Sequence, residues 1–170
     1  MTLGRACVLV GVAHLVLLCS GALVGMSPWR IPVPEVALLL VIYTGLFGRG
    51  GLVGQVLLGV VSGYLADLSS GAPIGLHAFS VGTLGLLARL AAPRVLVATV
   101  WQLLVIVYLA AFLHGLVLVG LSGSQAPDGF SLLVVIPEHA LLTSLLAPIL
   151  FALFRRIDRQ PQPRLQTAWG

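Results

Sequence analysis

Residues 34–77 read PEVALLLVIYTGLFGRGGLVGQVLLGVVSGYLADLSSGAPIGLH, and the number of helices in the chain turns on them. The run from Pro34 to Phe47 is apolar but short, and Pro32 and Pro34 suit its first helical turn. Gly48-Arg49-Gly50-Gly51 interrupts it. A second apolar run then extends from about Leu52 to Ala66 and ends at Asp67-Leu68-Ser69-Ser70-Gly71. A helix needs roughly 20 residues to cross a hydrocarbon core, so each run is marginal alone. Two short spans fit if they are tilted, buried by neighbours or extended into their flanks. A single re-entrant hairpin is the competing reading.

Four further apolar segments flank this stretch: about Ala6 to Met26, Pro73 to Ala92, Val95 to Leu121 and Phe130 to Phe154. Pro93-Arg94 and the Ser122 to Gly129 stretch punctuate them as turn and loop. The arginines decide between the readings. With six crossings and an inside N-terminus, Arg5, Arg49, Arg89, Arg94, Arg155, Arg156, Arg159 and Arg164 all fall inside, and only Arg30 falls outside. The outside loops carry Glu35, Asp67 and Asp128. Such an arginine bias marks the cytoplasmic side, and a hairpin would destroy it. The sequence therefore predicts an all-α, polytopic membrane protein of six transmembrane helices, N-in and C-in. Its domain covers residues 1–154, and residues 155–170 form a short basic cytoplasmic tail that is expected to be disordered.

Composition excludes the other classes. Of 170 residues, 59% are apolar and 8% are charged, against about 25% charged in ordinary soluble domains. The mean hydropathy of +1.11 points to lipid as the main solvent. A disordered chain would be poor in large apolar residues. Cys7 and Cys19 lie twelve apart in one apolar stretch, about 18 Å along a helix, too far to bond each other. The net charge of +4 and pI of about 9.8 come from scattered arginines with no lysine, which form no basic face for nucleic acid. One arginine followed by a long apolar run reads as an uncleaved anchor and not as a signal peptide.

Ionisable groups inside lipid are costly and face protein or water. In the six-span topology Glu35, His77, His114, Glu138 and His139 all lie toward the outer side, which suggests an outward-facing polar cavity. Interhelical hydrogen bonds are the plainer account. His14 lies near the middle of the first segment. Gly59 and Gly63 form a small-x3-small face suited to close helix approach. Pro137 and Pro148 are expected to bend or loosen the last helix.

No catalytic, cofactor or metal set emerges. Gly120-Leu121-Ser122-Gly123 resembles the nucleophile motif of rhomboid intramembrane proteases, but Ser122 falls at a helix end and His139 is on the very next helix. His-Glu-x-x-His is absent, and the adjacent Glu138 and His139 point to different helix faces. No glycine-rich phosphate loop follows a strand. The protein is expected not to be an enzyme.

The run Gly63-x3-Asp67-Leu68-Ser69-Ser70-Gly71-Ala72-Pro73-Ile74-Gly75-Leu76-His77 closely resembles the signature of the bacterial rod shape-determining MreD family. That family carries Gly-x3-Asp-Leu, then Ser-Gly, then Gly four residues on, at a helix junction. Pro34-Glu35 before an apolar helix, Trp101-Gln102, and Ala147-Pro148-Ile149-Leu150-Phe151 ahead of Arg155-Arg156 are similar to the family along the rest of the chain. The glycine-rich loop at Arg49 and the absence of lysine depart from it. The resemblance implies a non-enzymatic inner-membrane scaffold of the cell-elongation machinery. It would associate with MreC and, through it, with MreB filaments, the RodA glycosyltransferase and a class B penicillin-binding transpeptidase. Gly63, Asp67, Leu68, Ser70, Gly71, Pro73 and Gly75 are the partner-binding or structural residues it points to.

Read from their own chemistry, Gly71 and Gly75 allow backbone conformations closed to other residues. Ser70 can hydrogen-bond the turn, and Pro73 suits the start of the fourth helix. Asp67 can accept backbone donors of the turn or cap a neighbouring helix. The rival to a scaffold is a membrane-embedded small-molecule binder, similar in topology to the substrate-binding subunits of energy-coupling-factor vitamin transporters.

Overall fold

Apolar sequence that must satisfy its own backbone polar groups becomes helix, and among the described residues six helices form. A computed structural model describes residues 3–26, 33–48, 50–70, 73–95, 97, 99–122 and 129–158. Its helices are α1 (Leu3–Met26), α2 (Val36–Phe47), α3 (Leu52–Ser70), α4 (Leu76–Ala91), α5 (Val100–Ser122) and α6 (Gly129–Asp158). Gly71, Arg30, Arg49, Asp128, Arg159, Arg164 and the tail beyond Asp158 lie outside the described residues. Within those residues, α3, α5 and the part of α6 from Val135 to Asp158 are each long and apolar enough to cross a membrane. Ala6–Ala22, Val36–Phe47 and Leu76–Ala91 are shorter apolar helices. Large apolar side chains face outward on several helices, among them Val53, Leu57, Phe79, Trp101 and Ile149. That surface is compatible with a lipid environment.

The short α2 is central. Every residue from Val36 to Gly45 is buried, and the helix touches all five others. A helix apolar all round belongs in an interior, which explains how 12 residues, about 18 Å long, are accommodated. Tyr43 meets Phe47, Phe151 and Phe154 with ring centroids 5.4–5.7 Å apart, joining α2 to the second half of α6.

Glycines set the two tightest crossings. A Cβ on Gly63 would lie 2.5 Å from the Cα of Ala78, and one on Gly59 would lie 2.8 Å from the Cα of Gly82. Thus α3 and α4 run antiparallel with backbones nearly touching, and Gly59 and Gly63 are spent on this contact within the chain. On the other side of α4, Gly85 gives room to Val41, and Gly45 lies against Ala88. The helix α4 is therefore wedged between α2 and α3.

Helix boundaries differ from the sequence expectation at several points. The helix α1 begins at Leu3, ahead of Ala6. The helix α6 continues past Phe154 through Arg155 and Arg156 to Asp158, so the first four residues of the expected disordered tail are helical. The helix α3 continues through Asp67 to Ser70, its end helped by Ser69 Oγ donating to the Leu65 carbonyl. The helix α4 begins at Leu76 and not at Pro73, because Pro73, Ile74 and Gly75 form a turn in which Leu76 N–H donates to the Pro73 carbonyl. The helix α5 begins at Val100 and not at Val95. Thr99 Oγ1 accepts the Gln102 N–H while Gln102 Oε1 accepts the Thr99 N–H, a capping box that fixes the start. Pro137 and Pro148 lie inside α6.

Candidate functional site

Asp67 sits one turn before the end of α3 and is 2% exposed. Opposite it, Gly75 is the N-cap residue of α4, with φ +99°. That left-handed conformation favours glycine, yet glycine brings no side chain to satisfy the first N–H groups of the helix. Asp67 does this from the neighbouring helix. Its Oδ2 accepts the N–H of Gly75 at 2.8 Å and of Ala78 at 3.3 Å, and its Oδ1 accepts the N–H of His77 at 2.9 Å. His77 and Ala78 occupy the second and third helical positions, which an ordinary capping side chain would serve. A carboxylate there also meets the positive end of the α4 dipole, and these charge-assisted bonds offset its burial.

The same Oδ1 accepts from His77 Nδ1 at 2.9 Å. A carboxylate only accepts, so the proton is on Nδ1 and Nε2 is left facing inward. Two other groups approach it. Glu35, at the N-cap position of α2, makes no side-chain capping bond and turns its carboxylate inward. Its Oε1 lies 3.9 Å from His77 Nε2, and its Oε2 lies 3.7 Å from His114 Nε2. His114, on α5, is 1% exposed. Its Nδ1 is 2.8 Å from Ser80 Oγ on α4, and its Nε2 has no hydrogen-bond partner among the described residues.

Of the sequence-selected polar residues, Glu35, His77 and His114 thus come together with Asp67. His139 lies at the same end but donates from Nε2 to the Val33 carbonyl, which fixes the strand of chain leading into α2. The Glu35 N–H reaches Thr143 Oγ1 on the same helix. Glu138 is exposed on α6 and makes no contact with the cluster in the hydrogen bonds and ion pairs of the described residues. In the junction motif, Gly63, Asp67 and Gly75 have the roles just described. Leu68 and Pro73 are exposed, and Ser70 Oγ donates to the Asp67 carbonyl at 3.4 Å. Gly71 is outside the described residues.

Sequence reasoning did not single out Ser80, Gln55 or Arg89 for these contacts. Gln55 is buried in α3 and donates to the Val41 carbonyl at 2.8 Å. Arg89, at the end of α4, donates to the carbonyls of Gly48 and Gly50, the second at 2.6 Å. It thereby ties down the α2–α3 loop and the last carbonyl region of α2, where a cation is favoured. The sequence signals were the lone arginine in a last helical turn and the lone amide in an apolar helix.

A cavity of about 470 Å³ lies at that Arg89 end and not beside the histidines. Ala6, Val10, Leu57, Leu58 and Val61 line it, with Thr44 and Gln55 as polar side chains. Both are already engaged with backbone carbonyls of α2. Comparison with known proteins finds no match to the chain among family models, curated sequences or solved structures.

Proposed function

We propose that this chain is a non-enzymatic, six-span scaffold of the bacterial inner membrane, N-in and C-in, belonging to the rod-shape elongation complex and binding MreC. The observation that supports this most is the α3–α4 junction, where Gly63, Asp67 and Gly75 of the run that resembles the MreD signature brace the two helices against each other. Asp67 holds the first turn of α4, and Gly59 and Gly63 hold the two helices backbone to backbone. Around this unit Leu68 is 59% exposed and Ile74 73% exposed. A capped helix start flanked by exposed apolar side chains suits a partner helix or loop, because little ordering entropy of the helix is lost on binding. Through MreC the contact would influence MreB, RodA and the class B transpeptidase, and so where peptidoglycan is made. Surrounding membrane lipid is the other expected partner, and no nucleic acid is expected.

Charge placement favours the topology. Arg89, Arg94, Arg155 and Arg156 belong to the end that holds the α2–α3 loop, whereas Glu35 and Asp67 belong to the opposite end. The arginine-rich end is then the cytoplasmic one.

The direct test is co-expression with the MreC candidate of the same organism, followed by co-purification in detergent. Wild type should recover MreC, and Leu68→Ala with Ile74→Ala should lower recovery at least about threefold while leaving the fold intact, given that exposed side chains contribute little to stability. Well-folded wild type that recovers no MreC would contradict the scaffold reading. The apolar cavity favours one other reading, a binding subunit for a small vitamin-type molecule, since its volume lies in the usual range for such sites. Saturable binding of such a ligand without MreC association would favour it.

A further inference from the structure

Glu35, His77 and His114 come from the starts of α2 and α4 and the second half of α5, and their nearest ligand atoms all lie within 4.8 Å of one another. Each imidazole is held from behind: His77 Nδ1 by the Asp67 carboxylate at 2.9 Å, and His114 Nδ1 by the Ser80 hydroxyl at 2.8 Å. Both Nε2 atoms turn toward the Glu35 carboxylate, at 3.9 and 3.7 Å. His114 Nε2 is buried with no hydrogen-bond partner among the described residues. Two ring nitrogens and a carboxylate therefore face one another. With Nδ1–H of His77 donating to Asp67 and Nδ1–H of His114 donating to Ser80 Oγ, both Nε2 atoms offer lone pairs to the centre. A buried polar atom left so costs free energy unless something fills the centre.

We propose that Glu35, His77 and His114 bind one divalent first-row cation, with Zn²⁺ as the best match. Two imidazoles and one carboxylate form a donor set suited to zinc, too nitrogen-rich for Mg²⁺ or Ca²⁺ and lacking the sulfur that selects Cu⁺. Ligands at the usual zinc distances of about 2.0–2.1 Å sit roughly 3.3 Å apart in a tetrahedron, so the three ligand atoms, now within 4.8 Å of one another, would draw together on binding. Asp67 behind His77 is the outer carboxylate that metal-bound histidines commonly use to fix tautomer and orientation. The Glu35 side chain is 15% exposed, which gives a path in and a fourth position for water. The ion would fasten α2, α4 and α5 at one end of the bundle. Because Asp67 also caps α4, occupancy and the geometry of the α3–α4 junction would be linked. None of this rests on the scaffold reading.

The test uses the full chain without an affinity tag, purified in detergent, stripped with a chelator and desalted, then titrated with Zn²⁺ alone. Metal content is read by mass spectrometry, and Co²⁺ substitution by visible absorption. The expected result is a single retained Zn²⁺ per chain and a Co²⁺ spectrum of low-coordinate nitrogen and oxygen ligation. His114→Ala and Glu35→Gln should abolish retention, and Ser80→Ala should weaken affinity about 10- to 100-fold, as loss of an outer partner does. Glu138→Gln and His14→Ala should bind as wild type does. A folded wild type that retains no Zn²⁺, or equal retention in folded His114→Ala, overturns the site. If the alanine variant does not fold, Glu35→Gln and the wild-type Co²⁺ spectrum decide by themselves.

Discussion

Asp67 is where a single side chain determines most of the local structure. It supplies the cap that Gly75 lacks, and four N–H groups converge on its two oxygens. Asp67→Ala should leave those donors unpaired in a buried site and lower stability by about 2–3 kcal/mol, measured by reversible denaturation in detergent. Asp67→Asn, with one acceptor oxygen, should fall between. A cost below about 0.5 kcal/mol for the alanine would mean the cap is not what holds the junction. This residue was legible in the sequence, because an acid between apolar runs, followed by Ser, Gly and Pro, has few other uses than capping or turn formation. The company it keeps was legible only in part: Glu35, His77 and His114 were among the residues assigned to an outward polar cavity, but their meeting with Asp67 was not foreseen. Glu35, His77 and His114 lie on three helices far apart in the chain, and Ser80 is an ordinary serine on an apolar helix until α5 is packed against it.

At the scale of helices, packing overrides length. The central position of α2 explains why an apolar run too short to span comfortably is nonetheless a stable helix, and its freedom from charged residues was the sequence signal. The glycine face of α3 was also legible as a packing face, although only the fold shows that α4 is its partner. Gly63→Leu should destabilise by about 3 kcal/mol or more, since the added side chain meets backbone and not a movable side chain. Gly54→Ala on the same helix has nothing within 4 Å of the added carbon, and should be neutral or stabilising by up to about 1 kcal/mol. Thermal unfolding of both variants in one detergent checks the pair, and equal effects would contradict the packing assignment. The start of α5 was readable too: Thr99-x-x-Gln102 is a capping signature. It was obscured by an apolar flank that extends the hydrophobic run back to Val95.

Over the whole molecule, the six helices join two ends of different character. One holds the Glu35, Asp67, His77 and His114 group. The other holds the Arg89-bound loop, the cavity, and Arg155 with its guanidinium 6.0 Å from the Phe47 ring centre. Charge segregation of this kind was visible in the sequence as the arginine bias, because the positive-inside rule depends on composition near helix ends and not on contacts. The cavity was not visible, since it arises from how α1, α2 and α3 diverge. The central claim is that these ends face opposite sides of a membrane, with α4 crossing between them. It is tested most directly by placing single cysteines at Ile74 and Pro93, both exposed and on either side of α4, in a background carrying Cys7→Ser and Cys19→Ser. Intact cells are then treated with a membrane-impermeant maleimide. The account predicts labelling of Ile74→Cys from outside and of Pro93→Cys only after permeabilisation. Labelling of both positions from the same side would contradict it.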